Sequence, residues 1–350
     1  MKKLVVLICL LQVFLGKAQD TTTSKMYDTT QFSKYDSVYN INSKDSVNKF
    51  HGTTCFSASY FSNKNQFFPY SKKKEKFVIY SQVIGYATNF ASLYSFWYAD
   101  YPKSNFHLFN DVGEYLQVDK VSHVYGAYVG GRMSMQMWKW AGVPKKRYVW
   151  VGGMTGLAYE TVIEVMDGFS DHWGFSVGDY AANILGTSLL IGQELAWNEQ
   201  RITMKYGTHI ATYSDPTVDA YLNGIYGKSK LDRLFKDYNA QTYWLSANIK
   251  SFFKKSNVPD WLNIAFGYGG QDMYGAYWDG ILDANGQLAY PEDHFQRYRQ
   301  WYLAPDIDLT RIKTKSKALK TILFVLNTFK FPTPSLELSR GSLKWNWIHF

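Results

Sequence analysis

A run of small and apolar residues at positions 160–186, ETVIEVMDGFSDHWGFSVGDYAANILG, is interrupted by five carboxylates. Small and apolar residues are typical of tightly packed helices, and a carboxylate is costly to bury in such packing unless it has a partner. Each of these acids must therefore reach either water or a compensating group. Their spacing along the chain is the feature that most restricts how the segment can fold.

Polar residues recur at helical spacing on three predicted helices. The first helix carries an i, i+4 pair, Asp119 and His123. The other two each carry an i, i+4, i+7 set: Glu160, Glu164 and Asp167; Asp179, Asn183 and Gly186. On a single helix such a stripe is usually the solvated face. Here the rest of each circumference is apolar, glycine or aromatic and would also need cover, so we expect the stripes to face inward and to meet. Partners for the buried acids would come from five side chains: Lys120, His123, Asn183, Arg132 and Trp173. A structural network and a catalytic site fit this pattern equally well.

The first half of the chain predicts helices at 77–98, 118–140, 147–167 and 176–199, which together form a compact four-helix unit over residues 76–200. The glycine pairs Gly126/Gly130 and Gly152/Gly156 are each four residues apart, a spacing that lets helix backbones approach closely.

Aromatic-rich or alternating segments at 261–270, 298–312, 335–339 and 342–350 predict strands, and 317–330 predicts a helix between them. Within these segments we interpret GYGG (267–270) as a bulge or turn, and the two acids of DIDL (306–309) as solvated charge at a strand edge. Residues 201–350 therefore form a mixed helix and strand region, and the predicted fold class is α+β.

The first 18 residues have the pattern of a secretory signal peptide, with Lys2 and Lys3 before an apolar run and small residues at its end. Cys9 lies inside the apolar run without the small preceding residue of a lipoprotein signal. We expect the mature chain to begin near Gln19 and to carry no lipid. Its first part, residues 19–75, is then a low-complexity lead-in. Cys55 then has no second cysteine with which to form an internal disulfide.

Residues 77–98 run for 22 positions without a charge and follow the basic run SKKKEK at 71–76. The uncharged segment contains several polar residues, and its lysine-rich flank would face the periplasm, opposite to the positive-inside bias. These features favour a buried or membrane-contacting helix over a membrane span. A membrane surface or an envelope protein is the expected partner, and nucleic acid is not, because basic residues are scattered and the chain is exported.

Three segments, FHLFNDVGEYLQVDKVSHVYGAY, the 160–186 run and QELAWNEQR, closely resemble an uncharacterised bacterial envelope family typified by the YfiM lipoprotein. They are more distantly similar to VanZ-like membrane proteins, and downstream segments resemble longer versions from Bacteroidetes-type envelopes. The resemblance implies a periplasmic location, at a membrane that we expect to be the outer membrane. By matching motifs it also implies that ten positions matter: Asp119, Lys120, His123, Glu160, Glu164, Asp167, Trp173, Ser176, Asp179 and Asn183. The sequence departs from the YfiM pattern in lacking a lipidation cysteine at its mature start.

The sequence contains no phosphate-binding loop of the Gly-Lys-Ser/Thr type, no His-Glu-x-x-His zinc helix and no Gly-x-Ser-x-Gly elbow. Two hypotheses remain. In the first, the chain is a non-enzymatic envelope protein whose polar network fixes helix register. In the second, it is a metal-assisted or acid/base hydrolase of a lipid or phosphate-containing envelope substrate. His123 would then be a base or a metal ligand, Lys120 an anion contact, and Glu160, Glu164 and Asp179 acids or ligands of a divalent metal.

Overall fold

The computed structural model describes residues 68–95, 102–171, 173–276, 280–283, 287–291 and 294–350. The predicted signal peptide, the lead-in as far as residue 67 and both cysteines lie outside these residues. Over the described part, the chain has a mixed α and β fold in which helices dominate the first half and an antiparallel sheet the second.

Helices occur close to the positions predicted for the first half: α1 spans Lys72–Leu93, α2 Val118–Trp140, α3 Thr155–Gly168 and α4 Val177–Trp197. Helix α1 begins five residues before the predicted start, since the Ser71 hydroxyl accepts a hydrogen bond from the Lys74 backbone N–H and caps the helix there. The lysines of the basic run therefore lie in the first turns of α1 rather than in the lead-in. Among the described residues, no helix combines the length and the apolar character needed to cross a membrane.

The third predicted helix is less regular than expected. A single turn at Lys145–Arg147 and a π-helical segment at Tyr148–Gly152 precede the regular helix α3. The hydroxyl of Thr155 donates to the Val151 carbonyl at 2.8 Å, so a side chain competes for a backbone acceptor at this point. Apolar periodicity does not report such a change in backbone hydrogen bonding.

Glycines allow α2 to pack closely against α3 and α4. A Cβ placed on Gly156 would lie 2.7 Å from the Gly131 backbone nitrogen, and one on Gly186 would lie 2.9 Å from the Val124 carbonyl carbon. Since these neighbours are backbone atoms, they cannot move aside as a side chain could. The close approach holds the polar stripes of the three helices within reach of one another.

The second half forms a six-stranded antiparallel sheet flanked by short elements. The short parallel pair β1 (Leu108–Phe109) and β2 (Phe175–Ser176) precedes it, and the hairpin β6 (Ile281–Leu282) and β7 (Leu288–Tyr290) lies outside it. The sheet order is β10-β9-β8-β5-β4-β3, with these bounds: β3 Ile202–Thr208, β4 Gln241–Asn248, β5 Leu262–Gln271, β8 Tyr298–Ile307, β9 Thr333–Ser339 and β10 Ser342–His349. The remaining α-helices of the described residues are α5 (Pro216–Tyr226), α6 (Lys230–Lys236), α7 (Lys317–Leu326) and the single turn Ile249–Phe252.

Two predictions about individual segments are wrong. GYGG lies inside β5 rather than in a bulge or turn, because its first glycine leaves room for an indole: a Cβ on Gly267 would lie 2.7 Å from the Trp244 ring. In DIDL, Asp306 is fully buried rather than solvated, since Lys205 of β3 supplies a buried cation 2.7 Å away. Strand β8 ends at Ile307, where Asp308 caps a short 3₁₀ turn.

Candidate functional site

The polar stripes of α2, α3 and α4 meet around His123. Its Nε2 lies 3.5 Å from Asp179 Oδ1 and 4.0 Å from Asp119 Oδ2. Its Nδ1 lies 3.7 Å from Glu164 Oε1 and 3.9 Å from Glu160 Oε2. The imidazole is therefore surrounded by carboxylates from its own helix and from both neighbouring helices.

Lys120 points into the same cluster although it follows Asp119 directly in sequence. Its Nζ lies 2.6 Å from Asp111 Oδ1, 2.9 Å from Asp179 Oδ1 and 3.4 Å from Asp119 Oδ2. Burial alone would lower the pKa of Lys120, but these three carboxylates outweigh it and hold the pKa above its ordinary value. The ammonium group is therefore a fixed positive charge at the centre of the site.

Asp111 was missed by the sequence reasoning because it lies before α2, where helical spacing says nothing. The Ser176 hydroxyl donates to Asp111 Oδ1 at 2.5 Å and accepts from the Asp179 backbone N–H at 2.9 Å as the cap of α4. The backbone N–H of Ser176 donates to Glu164 Oε2 at 3.3 Å. Ser176 thus connects the start of α4 to Asp111 and to Glu164 of α3.

The acids of the site differ in their affinity for protons. Burial, together with Asp119 and Asp111, raises the pKa of Asp179 to about 8 although Lys120 opposes the change. Burial, Asp111 and Asp119 raise the pKa of Glu114 to about 7. Burial would also raise the pKa of Asp111, but hydrogen bonds from Lys120, Ser176 and Asp179 leave it below its ordinary value. Asp179 therefore holds its proton more tightly than Asp111 does, although both lie beside Lys120.

The backbone just before α2 has three consecutive residues in the left-handed region, with φ of 45° at Tyr115, 52° at Leu116 and 63° at Gln117. Such a conformation costs roughly 1 kcal/mol per residue outside glycine and persists only where surrounding contacts fix it. The Tyr268 hydroxyl donates to the Leu116 carbonyl, and Arg299 donates to Gln117 Oε1 at 2.6 Å. The sheet therefore holds the strained turn that positions Asp111 and Glu114.

Tyr238 brings the second half of the chain into the site. Its hydroxyl donates to Asp119 Oδ1 at 2.5 Å, and its ring lies 4.3 Å from that of Tyr115. Burial and the Asp119 charge hold the pKa of Tyr238 well above its ordinary value, so the phenol stays protonated. No local pattern could have found this contact, which joins residues 119 positions apart.

Two of the predicted partners make apolar contacts. The Trp173 indole packs in an apolar cluster with Leu93, Tyr159 and Ile163, and the Arg132 guanidinium lies 5.1 Å from the Phe324 ring centroid. The Arg132 side chain also lines a cavity together with Glu194 and Asp308.

The last two members of the stripes are buried beyond His123. Asp167 is buried one turn further along α3, near the end of that helix. Asn183 is fully buried one turn after Asp179, and neither polar atom of its side chain has a hydrogen-bond partner among the described residues. Both residues therefore lie on the predicted stripes.

Asp119, His123 and Asp179 could hold a metal ion, since one ligand atom from each lies within 4.8 Å of the others. A nitrogen and two carboxylate oxygens form a donor set that suits a borderline divalent ion such as Zn²⁺ or Mn²⁺. In total, five carboxylates lie within 4.0 Å of the Lys120 or His123 side chain: Asp111, Asp119, Glu160, Glu164 and Asp179. Negative groups therefore outnumber the protein's own cations in this buried region.

Residues 108–191 match a family described as predicted periplasmic lipoprotein (DUF2279). The matched segment runs from β1 into α4 and contains every site residue named above except Tyr238. No curated protein and no solved structure matches the chain.

Proposed function

We propose that this chain is an exported cell-envelope protein of the periplasm, or of the periplasmic face of a membrane, in which a buried carboxylate–histidine centre binds a divalent cation. The match of residues 108–191 to a predicted periplasmic lipoprotein family supports the location, as does the signal-like start of the sequence. In this proposal residues 1–18 are removed without lipidation, the outer membrane is the membrane concerned, and the YfiM-like likeness extends over a helical domain at 76–200. Residues 201–350 form the second domain.

The observation that carries the cation proposal is the convergence of five carboxylates on one lysine and one histidine. Like charges in a region of low dielectric cannot all stay ionised without compensation, so a site of this kind either keeps protons or binds a cation. The pKa of Asp179, raised to about 8, corresponds to the first of these alternatives, in which the site keeps a proton. A divalent ion at Asp119, His123 and Asp179 would displace that proton and neutralise the excess negative charge.

The first role for such a centre is structural and non-enzymatic. The ligands come from α2 and α4, and Glu160 and Glu164 of α3 lie beside His123. A bound ion would therefore fix the mutual register of these helices, and α1 would complete a four-helix unit that docks on a membrane or an envelope protein. A stabilising ion of this kind adds its binding free energy to the free energy of unfolding.

Metal-assisted or acid/base hydrolysis of a lipid or phosphate-containing envelope substrate is the second candidate. It is favoured by one pair of groups, His123 beside Asp179, because a base next to a carboxylic acid that titrates near neutral pH can move a proton. A bound divalent ion would supply Lewis-acid polarisation. The anion-contact role considered for Lys120 is not supported, since three carboxylates already surround its ammonium group.

Elemental analysis of the purified protein tests the proposal, alongside His123→Ala, Glu164→Gln and the exposed control Asp171→Asn. We expect about one equivalent of a divalent ion in the parent and the control, and a chelator-dependent fall in Tm for the parent. The ion should be lost in His123→Ala, which removes a ligand, and held more weakly in Glu164→Gln, which removes the carboxylate 3.7 Å from His123 Nδ1. Absence of metal after growth in metal-supplemented medium, with Glu164→Gln melting at or above the parent temperature, would contradict it. Metal-dependent cleavage of a generic phosphodiester that is lost in His123→Ala would favour the hydrolase.

A further inference from the structure

The two faces of the six-stranded sheet depart from the polarity expected for a sheet in water, because buried charges lie on one face and exposed apolar rows on the other. The covered inner face carries Lys205 and Asp306, both fully buried and 2.7 Å apart, with Lys330 at 3.5 Å from Asp306. The Ser246 hydroxyl donates to Asp306 at 2.6 Å. On this side the sheet therefore encloses paired charged and polar groups beside a buried apolar cluster of Trp244, Ala265, Tyr302 and Ala304.

The outer face is apolar along two continuous cross-strand rows that follow the register of all six strands. The first row comprises Met204, Leu245, Phe266, Leu303, Leu336 and Trp345; the second comprises Tyr206, Tyr243, Tyr268, Trp301, Leu338 and Leu343. An antiparallel sheet with one covered and one wet face usually places its polar residues on the wet one.

The helical half covers only one end of these rows. Val118 of α2 packs with Tyr206, Tyr243 and Tyr268, which are buried, and Met204 packs beneath the same helix. The other eight residues of the two rows are exposed, among them Leu343 at 66%. Trp347 lies beyond the rows on β10 and is 77% exposed. The exposed part of the outer face, which we call the apolar sheet face, therefore runs from Leu245 on β4 to Trp347 on β10.

Charge on and around the apolar sheet face is predominantly positive. Among its outward positions on β8, β9 and β10, the only charged side chain is Arg299. The connections that leave the sheet after β4 and after β8 emerge at the same end, because Leu262 at the start of β5 pairs with Ile307 at the end of β8. These two connections expose five lysines against one aspartate, together with four aromatic residues: Lys254, Lys255, Lys313, Lys315 and Lys317; Asp260; Phe252, Phe253, Trp261 and Phe331.

We infer that the apolar sheet face contacts the hydrocarbon of a lipid bilayer, with the lysine-bearing end of the sheet at anionic headgroups. Tryptophan beside lysine is the combination found where protein meets the headgroup region, and each lysine near an anionic surface adds to the attraction. Protein interfaces, in contrast, are depleted in lysine and carry regular hydrogen bonds that two rows of leucine, phenylalanine and tryptophan cannot supply. This surface is separate from α1, where the sequence predicted membrane contact, and from the cation site.

Flotation of the purified full chain with vesicles of phosphatidylethanolamine and phosphatidylglycerol tests the inference. The probe variant is Leu343→Gln combined with Trp347→Gln. The matched control is Leu288→Gln, which changes a leucine that is 59% exposed on β7, outside the sheet. We expect the parent and the control to float, and the double variant to partition at least tenfold less, because two apolar side chains no longer enter hydrocarbon.

Two further measurements make the result decisive. Lipids brominated in the acyl chains should quench the tryptophan fluorescence of the parent, and replacing phosphatidylglycerol by a neutral lipid should weaken binding. Circular dichroism and metal content should be the same in all three proteins, which separates this inference from the cation proposal. The inference is overturned if the parent stays in the aqueous fraction, or if the double variant floats like the control. It is also overturned if light scattering shows a dimer that the double variant dissociates while neither protein binds vesicles, since a second copy would then cover the face.

Discussion

Replacing Gly186 by alanine tests whether α2 and α4 approach as closely as the structure has them. The added Cβ would lie 2.9 Å from the Val124 carbonyl carbon and nearer still to its oxygen. Both atoms belong to the α2 backbone, so the helices themselves must separate. Gly192 on the same helix provides the matched control, since a Cβ there would meet no atom within 4 Å.

The two substitutions should change the free energy of unfolding in opposite directions. Alanine is favoured over glycine inside a helix by roughly 1 kcal/mol, so Gly192→Ala should be stabilising by about that amount. At Gly186 the same gain is opposed by overpacking: separating two carbons by about 1 Å in a tight interface typically costs 1–3 kcal/mol or more. We expect a net loss of about 2 kcal/mol, and thus a difference of about 3 kcal/mol between the variants.

Urea unfolding followed by circular dichroism measures this difference, with equal m-values required for the comparison. Helix α4 also carries Asp179, so Gly186→Ala should weaken any metal retention while Gly192→Ala should not. Equal stability of the two variants would show that α2 and α4 do not meet at Gly186, and the geometry of the site would then be wrong as well.

Two further predictions concern buried charges. With chelator present, Lys120→Met should lower the free energy of unfolding by about 3–5 kcal/mol, because Asp111 and Asp179 lose their buried cation. Adding Asp179→Asn should recover part of this loss. A melting curve unchanged by Lys120→Met would contradict the network. Burial lowers the pKa of His349 to about 4 from an ordinary 6.5, so the unfolded chain takes up a proton first and stability is lost as pH falls from 6.5 to 4. The loss should be about 3 kcal/mol in the parent and absent in His349→Phe, and equal acid sensitivity of the two proteins in pH-dependent melts would refute it.

The sequence predicted the helices that build the site and the acids on three of them. Asp119, His123, Glu160, Glu164 and Asp179 follow helical spacing within apolar segments, and that periodicity is a local property of the chain. Once the helices pack closely through their glycines, the polar stripes can avoid apolar surroundings only by facing one another. The α+β division follows for the same reason, since the period of the pattern changes near residue 200.

Tertiary structure alone decided which other groups join these acids. A strained turn before α2 positions Asp111 in the site, and Tyr238 reaches the site from the second half of the chain. The contacts of Trp173 with Leu93 and of Arg132 with Phe324 are equally non-local. A helical wheel shows in which direction a side chain points around the helix axis. It does not show which residues of other elements lie opposite that side chain.

The sheet shows the same limit in another form. Alternation in β8, β9 and β10 assigns residues to two faces, yet it does not say which face is covered. In this protein Lys205 and Lys330 come from other parts of the chain to pair with Asp306, so the polar face is the enclosed one. Leu303, Leu338 and Trp345 are exposed as a result. Local pattern determined which side chains share a face. Long-range contacts determined which of them are buried: the pairing of Lys205 and Lys330 with Asp306 on one face, and α2 over one end of the other.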